Sequence, residues 1–186
     1  GYKFFVNKIW NASKLTFANL DGFDETATAE VVDSLPDLWI KARLNKAVED
    51  VTTALDEYRF NDAAAAVYRF IWHELCDWYL ELSKPVFYGK GSAEQKQAAQ
   101  KTLGVVFPTM LKLLHPFMPF LTEELWQVFH GDDKNSIMIS RFPAVCSEWK
   151  NDAAEKEMET IMDMITAVRN IRGEMRIAPS QKLDVL

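Results

Sequence analysis

The sequence is sparing with the residues that break helices: seven Gly and seven Pro in 186 positions. That scarcity argues against a turn-rich β protein and for long helices. Cysteine is scarcer still. Cys76 and Cys146 stand 70 positions apart with no CxxC pairing, so neither a zinc framework nor a disulfide scaffold is indicated, which suits a reducing cytoplasm. No apolar run approaches the roughly 20 residues that span a bilayer, and nothing reads as a signal peptide. HExxH, P-loop, GxGxxG and GxSxG motifs are all missing, and none of the three histidines has a Glu three positions before it. Those absences remove the common metal, nucleotide and hydrolase sites.

What is present is an ordinary globular composition, 48% hydrophobic and 26% charged, long enough for one domain with a real core. The opening GYKFFVNKIW already reads as helix, which suggests a chain that begins partway through a larger protein. A net charge of −6 argues against a wholly basic nucleic-acid binder but leaves room for a local basic stripe. Residues 1–20 hold Lys3, Lys8 and Lys14 and no acid, whereas residues 21–37 hold six acids and no base.

Periodicity predicts a first helix over Tyr2–Leu20, stopped near Gly22. Ser34 caps a second, with Ile40, Leu44, Val48, Val51 and Leu55 on one face. Asn61 is expected to cap a third, whose buried side runs from Val67 through Trp72 and Tyr79 to Leu82 and which SKPVFYGKGS should break. A fourth spans Ser92–Leu114. The stretch LKLLHPFMPFLTEELWQVF, Leu111–Phe129, raises the question of a reaction centre at His115, Glu123 and Glu124. Pro116 and Pro119 instead predict a corner, with His115 at a helix end and Thr122 opening a new helix whose first turn holds Glu123 and Glu124. SIMIS reads as a short extended piece. A last helix over Asn151–Met175 turns Met158, Met162, Ile165, Val168 and Ile171 inward. The class is all-α, an antiparallel helix bundle, divided as 1–150 for the main bundle and 151–186 for the final helix and the start of an irregular extension.

One surface suggests a ligand. At 100° per residue, Lys3, Asn7, Asn11 and Lys14 fall within a sector about 80° wide on the first helix. Trp10 borders it on one side, Phe4 and Leu15 on the other, and Lys8 lies just beyond. Amides can meet base edges, lysines can neutralise phosphates, and flat or apolar side chains can support unstacked bases. Spacing alone equally describes an exposed polar face with aromatic borders. Arg169, Arg172 and Arg176 also share a helical face, suited to a phosphate backbone or to a helix C-terminus.

NKIWNASK (Asn7–Lys14), Asp37–Leu82 and LHPFMPFLTEELWQ (Leu114–Gln127) together resemble the anticodon-binding domain of valyl-tRNA synthetases, and RNIRGEMRIAPSQKL (Arg169–Leu183) resembles the segment that follows it. HPFMPFLTEELW is shared with isoleucyl- and leucyl-type relatives, whereas NKIWNAS, YRFNDAA and CDWYLE look valine-type. The resemblance implies a class I anticodon-binding bundle that docks on the anticodon stem and loop, as one part of a larger cytoplasmic, monomeric ligase. HIGH-like and KMSKS-like signatures are absent, so no catalytic residue, cofactor or metal is expected in this chain. ATP and Mg would belong to a catalytic domain outside it, a second partner besides the tRNA. The alternative implied is a helical scaffold docking on that domain without binding RNA itself. By position the resemblance implicates Lys3, Asn7, Asn11, Lys14 and Leu15, then Leu80 and Glu81. The family often carries Arg-Phe where Lys14-Leu15 stands here; Leu15 packs against a base without stacking, and Lys14 lacks the planar fork of Arg.

Overall fold

The computed structural model describes residues 2–23, 31–130, 135–178 and 180–182. These contain seven α-helices and no strand: α1 Tyr2–Leu20, α2 Leu35–Asp56, α3 Phe60–Arg69, α4 Leu80–Pro85, α5 Ala93–Leu114, α6 Pro119–His130 and α7 Asp152–Glu174. Between α3 and α4 the chain winds more widely, as a π-helix over Phe70–Tyr79, and a second wide turn covers Val86–Lys90.

α2 runs through the middle of the bundle, touching α3, the π-helical stretch, α5 and α7. Its Ile40, Leu44, Val48 and Val51 are almost wholly buried against Phe70, Ile71, Leu75, Leu103 and Phe107. The cap of α2 is tied into that core. Asp37 accepts from the Ser34 N–H at 3.0 Å and from the Ser34 hydroxyl, and its other oxygen accepts from Tyr79 Oη at 2.7 Å. Burial, with the neighbouring Asp37 charge adding to it, holds the Tyr79 phenol well above its ordinary pKa, so it remains a donor. Arg43 of α2 reaches Glu74 in the π-helical stretch at 2.7 Å and Glu155 of α7 at 2.9 Å.

Several helix boundaries expected from the sequence hold. Ser92 accepts from Gln95 N–H at 3.2 Å while Gln95 returns the bond to Ser92 N–H at 2.9 Å, and Asn151 caps α7 through Ala154 N–H at 3.0 Å. Others are corrected. Asn61 does not cap α3, which starts one residue earlier at Phe60 with no side-chain cap. SKPVFYGKGS does not stop the third helix at its proline: winding continues through Pro85, and the chain turns only at Gly89, φ +83°. α6 begins at Pro119, so Glu123 and Glu124 fall beyond its first turn, and buried Thr122 donates back to the Met118 carbonyl at 2.9 Å. SIMIS forms a 3₁₀ turn over Ile137–Ile139, and its Ser136 hydroxyl donates to Glu123 at 2.7 Å.

That geometry answers the question posed by Leu111–Phe129. His115 follows the last turn of α5, with Nδ1 2.7 Å from Thr122 Oγ1, while Glu123 is occupied by Ser136 and Gln127. The Ser136 bond is the main reason its carboxyl sits below the usual range. The segment is a hydrogen-bonded corner.

α7 departs most from expectation. Ala154 and Met158 are buried and Ile161 and Met162 partly so, but Val168 and Ile171 are each 54% exposed. The C-terminal half of α7 turns its apolar side chains to solvent.

Candidate nucleic-acid interface

α1 lies against the π-helical stretch and α5, burying Phe5, Ile9 and Ala12. The opposite sector presents Lys3, Asn7, Asn11 and Lys14, all exposed. Phe4 is 69% exposed and Trp10 43% exposed, so both borders offer rings to solvent. Lys14 Nζ lies 5.9 Å from the Trp10 ring centroid, which places a cation beside a stacking surface.

Where α1 meets α4, an open groove of about 210 Å³ is lined by Lys8, Asn11, Leu15, Leu80, Glu81 and Lys84, with Ala12 and Cys76 on its floor. This volume lies below the roughly 300–1,000 Å³ of small-molecule sites. The groove joins residues about 70 positions apart, so the α1 face and the end of the third helical rod form one surface. Glu81 pairs with Lys84 along the rim. Cys76 is 8% exposed, and burial pushes its thiol up to about 12, with the Lys8 charge acting in the opposite direction.

Not every expected residue serves this surface in the same way. Leu15 is half-buried and packs on the core as well as lining the groove. Leu80 is only 4% exposed and forms floor rather than rim. Lys8 turns aside from the open sector: it pairs with Asp77, and its Nζ sits 4.0 Å from the Trp72 ring centroid. Arg169 and Arg172 stand one turn apart on α7, and Arg176 falls outside it. Arg169 lies 5.3 Å over the Trp78 ring, and Arg172 donates to the Gln181 carbonyl at 2.8 Å and to that of Ala178. Arg176 lies past the end of α7 at φ +53°, where the Ile177 N–H closes onto the Arg172 carbonyl at 2.8 Å.

Lys84 is the groove residue that sequence reading passed over. It falls one helical turn after Leu80 and Glu81, a signal visible once the helix is carried through SKP. Among the described residues no group of three or more His, Cys, Asp or Glu could hold a metal ion. No helix among them is long and apolar enough to cross a membrane.

Comparison with known proteins now bears on this surface. The family model described as the anticodon-binding domain of tRNA ligase matches residues 37–186. The chain belongs to that family. Among curated relatives, a valine–tRNA ligase of Geobacter sulfurreducens is 47% identical over the whole chain, and that of Thermotoga maritima is 44% identical over 99% of it. In these the chain spans 21% and 20% of the relative's length, about a fifth. The LeuRS of Agrobacterium radiobacter K84, solved in a ternary complex with tRNA and LeuAMS, superposes with a TM-score of 0.52 over 97% of this chain and 23% of that one, at 16% identity. That likeness bears on the fold, an all-α helix bundle. α1 lies outside the matched family segment, yet contributes half of the groove.

Proposed function

We propose that this anticodon-binding bundle receives the anticodon stem–loop of a valine tRNA and positions it for aminoacylation by other parts of a longer, cytoplasmic, monomeric valine–tRNA ligase. ATP and Mg chemistry belongs to those other parts. The observation that carries this reading is the groove between α1 and α4, lined by Asn11, Leu15, Glu81 and Lys84, on the helix whose exposed sector also carries Lys14, Phe4 and Trp10. Amides and a carboxylate can read base edges, lysines can meet phosphates, and the rings can take unstacked bases. Valine acceptors share a central A and a third C in the anticodon, so discrimination should fall on those bases.

Tryptophan fluorescence during titration with a valine anticodon stem–loop tests this, against a loop changed only at the third anticodon base. Tighter, salt-dependent binding of the valine loop is expected. Equal binding of both loops reduces the bundle to a shape and charge platform.

A second reading, docking on the remainder of the ligase, is favoured by α7. Met164, Val168, Ile171 and Met175, 54–68% exposed, follow one another at spacings of four, three and four. Contiguous exposed apolar surface is the kind of feature that marks an interaction site. The two roles occupy different faces and are compatible.

A further inference from the structure

Lys8 is one of four lysines near the groove; Lys84 pairs with Glu81 of its own helix, whereas Lys8 of α1 pairs with Asp77, 69 positions away. Its side chain is 24% exposed, against 41% for its partner Asp77. Asp77 also has His73 Nδ1 3.4 Å from its second oxygen. Trp72, under the Lys8 ammonium, is itself held: it stacks on Tyr68 at 5.5 Å and lies 6.2 Å from Phe5 of α1. Lys8 thus meets an anion and an aromatic face from the same stretch of helix, in a pocket of packed rings.

The winding of that stretch makes this convergence available. In an α-helix, residues five apart are turned about 140° from each other. Trp72 and Asp77 are five apart and both lie within the π-helical segment Phe70–Tyr79, where the Leu80 N–H bonds back to the Leu75 carbonyl. The wider i→i+5 winding brings such residues closer to alignment. The next turn carries Cys76, Leu80 and Glu81 into the groove. The Lys8 contacts therefore tie α1 to the rod immediately before the groove residues of α4.

We propose that Lys8 is a positioning residue that sets the spacing of α1 from the π-helical stretch, and hence the width of the groove, rather than a phosphate contact. Its role in RNA binding rests on the function proposed above; its role in groove geometry does not. An ammonium held by Asp77 and Trp72 has little free charge left for a phosphate, whereas Lys3 and Lys14 are exposed.

Cys76 reports the groove independently of RNA. In a Cys146→Ser background, where that residue bonds through its backbone, its N–H to Asn45 and its carbonyl from the Trp149 N–H, thiol labelling of Cys76 under native conditions reads how tightly α1 sits. Lys8→Ala and Asp77→Asn act on the Cys76 thiol in opposite electrostatic directions, so a loosened α1 is read from both variants speeding labelling, by about three- to fivefold, the scale of a half-exposed ion pair with a cation–π contact. Lys8→Arg should label like the parent, and Lys14→Ala should not change it. Asp77→Asn keeps the side chain's size and so guards against a folding defect in Lys8→Ala. With the valine stem–loop, Asp77→Asn should weaken binding although it removes a negative charge, and Lys8→Ala should weaken it without changing the slope of log affinity against log salt. Unchanged Cys76 labelling in both variants overturns the inference. So does tighter RNA binding by Asp77→Asn together with a salt slope about one unit shallower in Lys8→Ala, the signature of a lost phosphate contact. If the parent chain bound no stem–loop, the proposed function would fail, while the labelling result would still decide the role of Lys8.

Discussion

Asn11, Lys14 and Glu155 separate binding from stability at single positions. Asn11 and Lys14 are exposed on α1 and make no ion pair among the described residues, so Asn11→Ala and Lys14→Ala should leave the melting temperature near that of the parent. Each should weaken stem–loop binding several-fold in the fluorescence titration. Glu155→Ala should do the reverse: it removes one of the two carboxylates on Arg43, lowering stability by about 1 kcal/mol or less without changing RNA affinity. Loss of RNA binding in all three variants, or in none, would reject the α1 face as the reader. Tyr79 is a different case, because its hydroxyl serves a carboxylate that is 1% exposed. Tyr79→Phe should cost about 1–3 kcal/mol in urea unfolding, since Asp37 loses a buried donor. The pH dependence has a definite sign. Burial raises the folded-state pKa of Tyr79 above its ordinary value and that of Cys76 to about 12, so the folded chain holds both protons longer than the unfolded chain. The contribution is complete below about pH 9, the ordinary thiol range, and is lost progressively as pH rises towards the folded values. Urea midpoints should therefore stay level on this account from pH 7 to 9 and fall above it.

At the scale of an element, helix ends carry the informative strain. α2 ends with Tyr58 at φ +59°, the Arg59 N–H bonding the Ala54 carbonyl at 2.7 Å and the Tyr58 N–H that of Leu55 at 3.0 Å. That is the cap for which glycine is preferred, and Tyr58 occupies it with its ring 81% exposed. Tyr58→Gly should raise stability by up to about 1 kcal/mol in thermal melts, because a side chain in the left-handed region is disfavoured by that order. A fall in melting temperature would show that the Tyr58–Phe60 ring contact outweighs the backbone term. Nothing in the local pattern announced either this tyrosine or Arg176 as a left-handed cap, since Asn and Gly are the residues that signal one. Ser34, Ser92 and Asn151 were legible as helix starts because a cap is a local event between residues three apart. The π-helical stretch was not, because its apolar residues satisfy a spacing of three and four nearly as well as the wider one.

For the whole molecule, the two faces make separable predictions. The groove proposed to take RNA lies between α1 and α4, while the apolar stripe on α7 is exposed among the described residues. Val168→Asp should leave the melting temperature of this bundle unchanged, since the side chain is already 54% exposed. In a full-length ligase it should lower thermal stability, and hydrogen exchange over 164–175 should be slower than in the isolated bundle. Equal exchange in both forms would remove the docking role from α7. Exchange at the α1 groove should instead slow only when the stem–loop is added.

The sequence by itself determined the all-α class, most helix spans, the faces that fill the core and the polar sector of α1. Each depends on spacing within a few turns of one helix, so each is written locally. It also marked Leu111–Phe129 as a corner, because two prolines cannot continue α5. The tertiary structure alone decided that Lys8 is spent on Asp77, 69 positions away, while Lys14 stays exposed beside Trp10. It decided, too, that Leu80 is floor and Lys84 is rim, and that the apolar face of α7 is buried only over its first half. Those outcomes turn on where one helix ends relative to another, and a periodic pattern carries orientation about its own axis but no distance to its neighbours.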